Sequence, residues 1–415
     1  MMRKRSAIWL ALAYCIAVLS MVAGALALPV RAQSITSTPT IRPTATVNGG
    51  NAQWAIQSRT FTSRYPKGFT FTVQATSTGG AITAVKTYWR YSPSTRHSRA
   101  AAYEPAAKAW TLAWVPRPGD ESVPAWVSID YWFVLTDAND NTYTTDEIHA
   151  EYTDKTRAWG RAESEDIIVY WEKALPDQIG QLAIEAMAKN RELYRSAWGR
   201  LLSYKPRAIL YANADSFGEW APGIDTEHIL GTTSRTWGGT AQRNSEYGII
   251  DLAYGTLPHE IGHLYQFDLG MVADSWWLEG DATFFELHQE YDYEQRARDL
   301  AQGADFPSLR DNIATRGDNA RNGYDIGYSF VKYLTNTYGI AVHQRILDYM
   351  TRGSVLFDAI AKATGKPFDD VELGFRQWLG VPDPTLPTRA PTLIFEFPPT
   401  PTHETVVEIT PTPTS

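Results

Sequence analysis

Histidine and glutamate meet in one short string, Pro258-His259-Glu260-Ile261-Gly262-His263, at a spacing that suits metal chemistry. Residues four apart share a helix face, so the His259 and His263 imidazoles can converge on one cation. Glu260 lies about 100° round the helix from His259, beside the ligand pair rather than within it. From there its carboxylate can take a proton from a water that the cation activates, which is the work of a general base. The only cysteine, Cys15, sits in an apolar N-terminal run, so a metal site further on must use histidine and carboxylate. Gly262 is a poor helix former, about 1 kcal/mol worse than alanine. Its expected use is close helix packing behind the site.

A catalytic zinc takes three protein ligands and keeps one position open. The segment Trp276-Trp277-Leu278-Glu279-Gly280-Asp281-Ala282-Thr283 offers Glu279 as the third. Fifteen residues separate it from His263. That length suits a helix ending near Phe267, a loop through Gly270 and a return helix from about Ser275. The pair of strings resembles the ligand motifs of gluzincin-type zinc metallopeptidases, and most closely those of the bacterial "peptidase MA-like" group. It is more distantly similar to the M1 aminopeptidases and thermolysin. The resemblance spans about residues 160 to 380, with its specific part confined to some 25 positions. It implies Zn2+ as the cofactor and a peptide or protein as the substrate. Two departures bear on activity. The spacing to Glu279 is shorter than in the M1 family, and no GxMEN-like string precedes His259; Trp237-Gly238-Gly239-Thr240-Ala241 holds roughly that place. An endopeptidase is therefore expected before an aminopeptidase. Asp281 stands where such proteins commonly carry an apolar residue, and two readings stay open: exposure, or a hydrogen bond near the ligands.

Tyr324-Asp325-Ile326-Gly327-Tyr328 resembles the Tyr-x-Lys-Gly string of M1 enzymes, with Ile326 in place of the lysine. The resemblance makes Tyr324 the candidate oxyanion donor, and Tyr328, one turn later, its rival. His288 and His343 have no partner spacing and read as structural.

These groups need a scaffold. Asp166–Trp171 and Ala208–Tyr211 read as strands, Asp177–Leu202 has helical spacing, and Tyr247–Leu252 reads as a third strand before the metal helix. Thr256 is placed to cap that helix and Pro258 fits its first turn. By fold analogy, the strand near Ile249 would pair with extended substrate. From Thr256 to about Leu379 the chain reads as mostly helical. Upstream, Phe69–Val73, Val85–Tyr91, Trp110–Trp114 and Ile129–Leu135 alternate as short strands with turn signals between them. The expected fold class is multidomain: an all-β immunoglobulin-like sandwich over 51–155, then an α+β gluzincin-like metallopeptidase unit over 160–380 with a largely helical C-terminal half. The sandwich aromatics read as core, with a glycan-binding face as the alternative.

The flanks read differently. Arg3, Lys4 and Arg5 precede an uncharged run from Ile8 to Val30, so 1–32 is expected to be a signal peptide. An uncleaved signal anchor, attaching the chain to a membrane, is the alternative. Either places the rest of the chain outside the cytoplasm. Residues 33–50 and 381–415 are rich in Thr and Pro and read as a linker and a flexible tail. The first 32 positions hold four of the 38 basic residues and none of the 46 acidic ones. The remainder therefore carries more acidic than basic side chains, which argues against a nucleic-acid partner. Oligomeric state is not legible. The expected activity is that of an exported zinc peptidase. Two alternatives stay open: a binding or adhesion protein with an inactive peptidase-like domain, and a zinc hydrolase of other substrates.

Overall fold

In the N-terminal half, alternating side chains along short strands build two sheets. The computed structural model describes residues 47–49, 52–92, 95–116, 123–220, 229–303, 305–311, 313–316 and 320–386. Strands β1 (Val47–Gly49), β2 (Ala52–Ser63), β3 (Phe69–Ser77), β4 (Ile82–Ser92), β5 (Thr95–Ala100), β6 (Ala102–Glu104), β7 (Ala109–Trp114), β8 (Ser128–Asp137), β9 (Thr142–Thr144) and β10 (Ile148–Glu151) occupy this half. One sheet has the order β1-β2-β3-β7-β6; the other runs β10-β8-β4-β5, with β9 on β8. Their inner faces meet through aromatics: the Phe71 and Tyr131 rings, one from each sheet, lie 5.0 Å apart. Every second residue of β8 is buried, so the alternation in its sequence is the inward face. Pairing begins earlier than the composition suggests, because β1 falls within the stretch read as a linker and pairs with β2. The expected signal segment and the end of the tail lie outside the described residues.

A third sheet follows, from β11 (Trp159–Glu163), β12 (Ile168–Glu172), β13 (Arg207–Tyr211), β14 (Gly231–Ser234) and β15 (Gly239–Arg243), in the order β11-β12-β13-β15-β14. β12, β13 and β15 are parallel neighbours, and β14 runs antiparallel along one edge. Both β12 and β13 are buried at every residue. Val169, Trp171, Ala208 and Leu210 join the core beneath the helices. Ile168, Tyr170, Ile209 and Tyr211 join the core of the N-terminal sheets. The period of two thus splits one apolar run between two cores. Trp126 stacks on Tyr170 at 4.4 Å across this boundary.

Helices α1 (Gln178–Trp198) and α2 (Ala214–Phe217) interleave with these strands. Then come α3 (Gly248–Asp251), α4 (Leu257–Asp268), α5 (Ser275–Thr283), α6 (Tyr293–Ala301), α7 (Arg321–Tyr338), α8 (Val342–Thr351), α9 (Leu356–Thr364) and α10 (Phe368–Leu379). The C-terminal half is helical, as its spacing predicts.

Two expectations fail at the entry to α4. Tyr247–Leu252 is not a strand: Gly248–Asp251 is helical, and a π-helical turn over Leu252–Thr256 runs straight into α4. A short apolar run does not distinguish strand from helix by periodicity. Here the helical phase turns Ile250 outward, 47% exposed, and buries Leu252 and Ala253. Thr256 does not cap α4 with its side chain. The helix has no free end there, because the Leu257 N–H already donates to the Leu252 carbonyl. Pro258 does sit in the first turn.

Candidate metal centre

Three elements bring the ligand candidates together. The metal helix α4 is held from behind by α1, where the Tyr194 hydroxyl donates to the Pro258 carbonyl at 2.8 Å. Helix α5 crosses α4 closely at Gly262, where a Cβ would stand 3.2 Å from the Ala282 Cα. That is the packing use expected of this glycine. Trp276 and Trp277 are buried and pack against Phe330 of α7, which anchors the start of α5. At the α5–α7 crossing, a Cβ on Gly280 would lie 2.2 Å from the Gly327 carbonyl carbon. Only glycine at both positions allows so close an approach. It brings Glu279 and Tyr324, each a short step from its glycine, to the same place.

One ligand atom from each of His259, His263 and Glu279 falls within a group whose members all lie within 4.8 Å of one another. Glu279 Oε2 is 3.2 Å from His259 Nε2 and 3.4 Å from His263 Nε2. Two ligands placed 2.0–2.1 Å from a tetrahedral zinc stand roughly 3.3 Å apart, so these separations suit such an ion. The far side of each imidazole is also engaged. His259 Nδ1 lies 3.0 Å from Glu286 Oε1, and His263 Nδ1 lies 2.8 Å from Gln266 Oε1. A proton on each Nδ1 leaves each Nε2 lone pair for a cation.

The charge balance also suits a cation. Glu260, Glu279 and Glu286 place three carboxyls around two imidazoles in a mostly buried site. Burial pushes Glu260 up, only partly countered by His263 and His259, and burial likewise pushes Glu286 up. Burial would raise Glu279 too, but hydrogen bonds to His259 and His263 hold it well below the usual carboxylate range. Burial would lower both imidazoles; the hydrogen bonds to Glu279, and for His259 also to Glu286, raise them instead. The imidazoles thus hold protons beside the Glu279 carboxylate, and a divalent ion bound there would take the place of those protons. The residues therefore fit zinc in ligand type, spacing and charge.

Glu260 lies against the sheet edge. The Thr233 hydroxyl is 2.5 Å from Glu260 Oε2 and 2.9 Å from its backbone carbonyl. The Tyr324 ring stacks near His259, centroids 6.2 Å apart at 25°. Burial, then the Glu279 charge, raises the Tyr324 hydroxyl far above its ordinary value, so it stays a proton donor. Tyr328 faces elsewhere, 5.4 Å from the Tyr293 ring. Asp281 is fully buried and hydrogen-bonded, which decides between its two readings. His343 is buried beside it, and their shared hydrogen bond is 2.9 Å.

Sequence reading missed Glu286, Gln266 and Thr233. Gln266, three residues after His263, could have been found from helical neighbours alone. Glu286 lies beyond the end of α5, and Thr233 comes from a distant strand, so no local spacing marks them. The strand expected near Ile249 is a helical turn, and the sheet edge beside Glu260 is β14, whose sole pairing among the described strands is with β15.

No family model and no curated protein matches the chain. Among solved structures it is similar to aminopeptidase A from Legionella pneumophila in complex with aspartic acid. That match is at 11% identity and TM-score 0.33, covering 75% of this chain and 48% of that one. A cycloalternan-degrading enzyme from Trueperella pyogenes matches at 15% identity and TM-score 0.16, over 25% of this chain and 15% of that one. A polysaccharide deacetylase from Bacillus cereus matches at 11% identity and TM-score 0.18, over 56% of this chain and 85% of that one. The chain thus spans less than half the length of the first two. Similarity at these scores carries neither fold nor activity across.

Proposed function

We propose that the chain is an exported zinc-dependent peptidase that cleaves within peptides, with His259, His263 and Glu279 as ligands. The observation that carries this is the pair of Nε2–Oε2 separations, 3.2 and 3.4 Å, around a single carboxylate oxygen. On this reading the helical half with its mixed sheet is gluzincin-like, and the two N-terminal sheets form an immunoglobulin-like sandwich. Export, by a cleaved signal or an uncleaved anchor, rests on the basic start and long apolar run of the sequence.

Bound zinc would polarise the attacking water and the scissile carbonyl. Glu260, held by Thr233 beside the ligand face, accepts the water proton and later passes it to the leaving amine. The Tyr324 hydroxyl donates to the oxygen that gains charge as the carbonyl carbon becomes tetrahedral. Extended substrate adds to the outer edge of β14 through backbone hydrogen bonds, which tolerates many side chains. An endopeptidase is favoured because the sequence has no GxMEN-like string to hold a substrate amino terminus.

The test is elemental analysis of chain purified without chelator, alongside a casein-type assay with and without chelator. About one equivalent of zinc and chelator-sensitive cleavage are expected. Zinc without turnover of any peptide would favour the binding or adhesion reading. Turnover of other bonds alone would favour a non-peptide hydrolase.

A further inference from the structure

Behind the metal-facing side of α4, a row of buried polar side chains joins three helices. Gln266 is fully buried. Its amide nitrogen lies 2.9 Å from the Leu278 carbonyl and 3.0 Å from Asp281 Oδ2. A backbone carbonyl can only accept, so the amide must present its NH2 on that side. Its oxygen then faces His263, 2.8 Å from Nδ1. That oxygen can only accept, so the His263 proton sits on Nδ1 and Nε2 is free for a cation. Asp281 Oδ1 in turn accepts from His343 Nδ1 at 2.9 Å, and His343 Nε2 lies 2.9 Å from the Thr335 hydroxyl. Asp281 and His343 are 0% and 2% exposed, so solvent does not substitute for these partners.

We infer that Gln266, oriented by Asp281 and His343, is a positioning residue that sets the tautomer of His263 and ties it to the backbone beside Glu279. The inference rests on the reading of His263 and Glu279 as metal ligands. One amide serves both, because Leu278 immediately precedes Glu279 in the chain. With one acceptor, Gln266 fixes which nitrogen of a ligand is bare. With its donors, it locks the spacing between α4 and α5 on which the convergence of the ligands depends. Asp281 needs a donor from Gln266 because its other oxygen is already committed to His343. The amide cannot rotate without opposing oxygen to oxygen at both Leu278 and Asp281, a costly arrangement when buried.

The test reads zinc affinity of the full chain by competition with a chromophoric chelator. Loss of a group that orients a ligand typically weakens metal binding ~10–100-fold, and that is expected for Gln266→Leu. Gln266→Glu should lose at least as much, because two carboxylates then face each other. Adding Asp281→Asn to Gln266→Glu reverses the donor and acceptor between them, and should recover part of that loss, about threefold or more, while the Leu278 carbonyl still faces an oxygen. Wild-type affinity in Gln266→Leu, or a double variant no better than Gln266→Glu alone, overturns the inference. A measurement on the wild type covers the case of variants that fail to fold. Long-range proton–nitrogen spectra of zinc-loaded, histidine-labelled chain should show a slowly exchanging proton on His263 Nδ1. A proton on Nε2, or fast exchange at Nδ1, overturns it equally. If the wild type binds no zinc, the metal reading itself falls, and this inference falls with it.

Discussion

Gly231 faces the carboxylate of Glu260 so closely that a Cβ there would stand 2.5 Å from Glu260 Oε1. Thr233, two residues along the same strand, presents its hydroxyl to the other oxygen. Residues two apart share a strand face, so β14 forms a two-point seat for the Glu260 carboxylate: space at one position, a donor at the next. On the proposed reading, the strand whose edge would take substrate is also the strand that aims the base.

Gly231→Ala should therefore displace Glu260 while leaving the three ligands in place. General-base contributions are typically ~10²–10⁴-fold, and Glu260→Gln should lower kcat within that range. Gly231→Ala should approach it. Zinc content measured in parallel should stay near one equivalent in both. Full activity in Glu260→Gln would show that the mechanism is wrong even with zinc bound.

Thr233→Val removes the donor and Thr233→Ser keeps it. The valine variant should lose kcat with little change in KM, and the serine variant should recover most of it. Equal rates in the two would show that the hydroxyl does not aim the base.

Metal retention separates ligands from their supports. His263→Ala and Glu279→Ala should lose most bound zinc. Glu286→Gln leaves the ligand set whole and should weaken affinity only ~10–100-fold, the usual effect of altering a group behind a ligand. Elemental analysis and chelator competition distinguish the two outcomes.

The Gly280–Gly327 crossing predicts a stability effect coupled to chemistry. Gly327→Ala would place a Cβ 2.2 Å from the Trp276 carbonyl oxygen, and overpacking of this kind costs about 1–3 kcal/mol. The variant should melt lower and should also lose kcat, because α7 carries Tyr324. Tyr324→Phe should lose kcat without the fall in melting temperature.

Asp251 gives a pH signature outside the ligand set. Burial, reinforced by the Glu286 charge, raises its carboxyl to about 6. A carboxyl raised in the folded state favours folding while protonated, below its unfolded value, and loses that contribution as pH rises through about 6. Asp251→Asn should therefore melt higher than wild type at pH 8, and the difference should vanish near pH 4. An equal offset at both values would assign the effect to packing instead.

The site was legible in sequence where its chemistry is local. His259, Glu260 and His263 share two turns of one helix, and the spacing to Glu279 allows a loop and a return. Strands β3, β4, β7 and β8 announced themselves by alternation. What escaped depends on contacts between distant segments. Thr233 meets Glu260 across 27 positions, and His343 meets Asp281 across 62. The run Tyr247–Leu252 misled because β-branched residues stand in a helical turn whose burial is decided by the core beneath it, not by their own propensity.

The third sheet is shared between two cores, and this binds the two halves of the molecule into one heritable piece. A chain beginning near residue 160 would strip Tyr170, Tyr211 and Trp237 of their ring partners Trp126, Trp159 and Tyr91, all within one shared core. An apolar patch bared in this way favours aggregation over solubility. The N-terminal sheets therefore act as a cover for the third sheet, and any replacement would have to pack against the same aromatic floor.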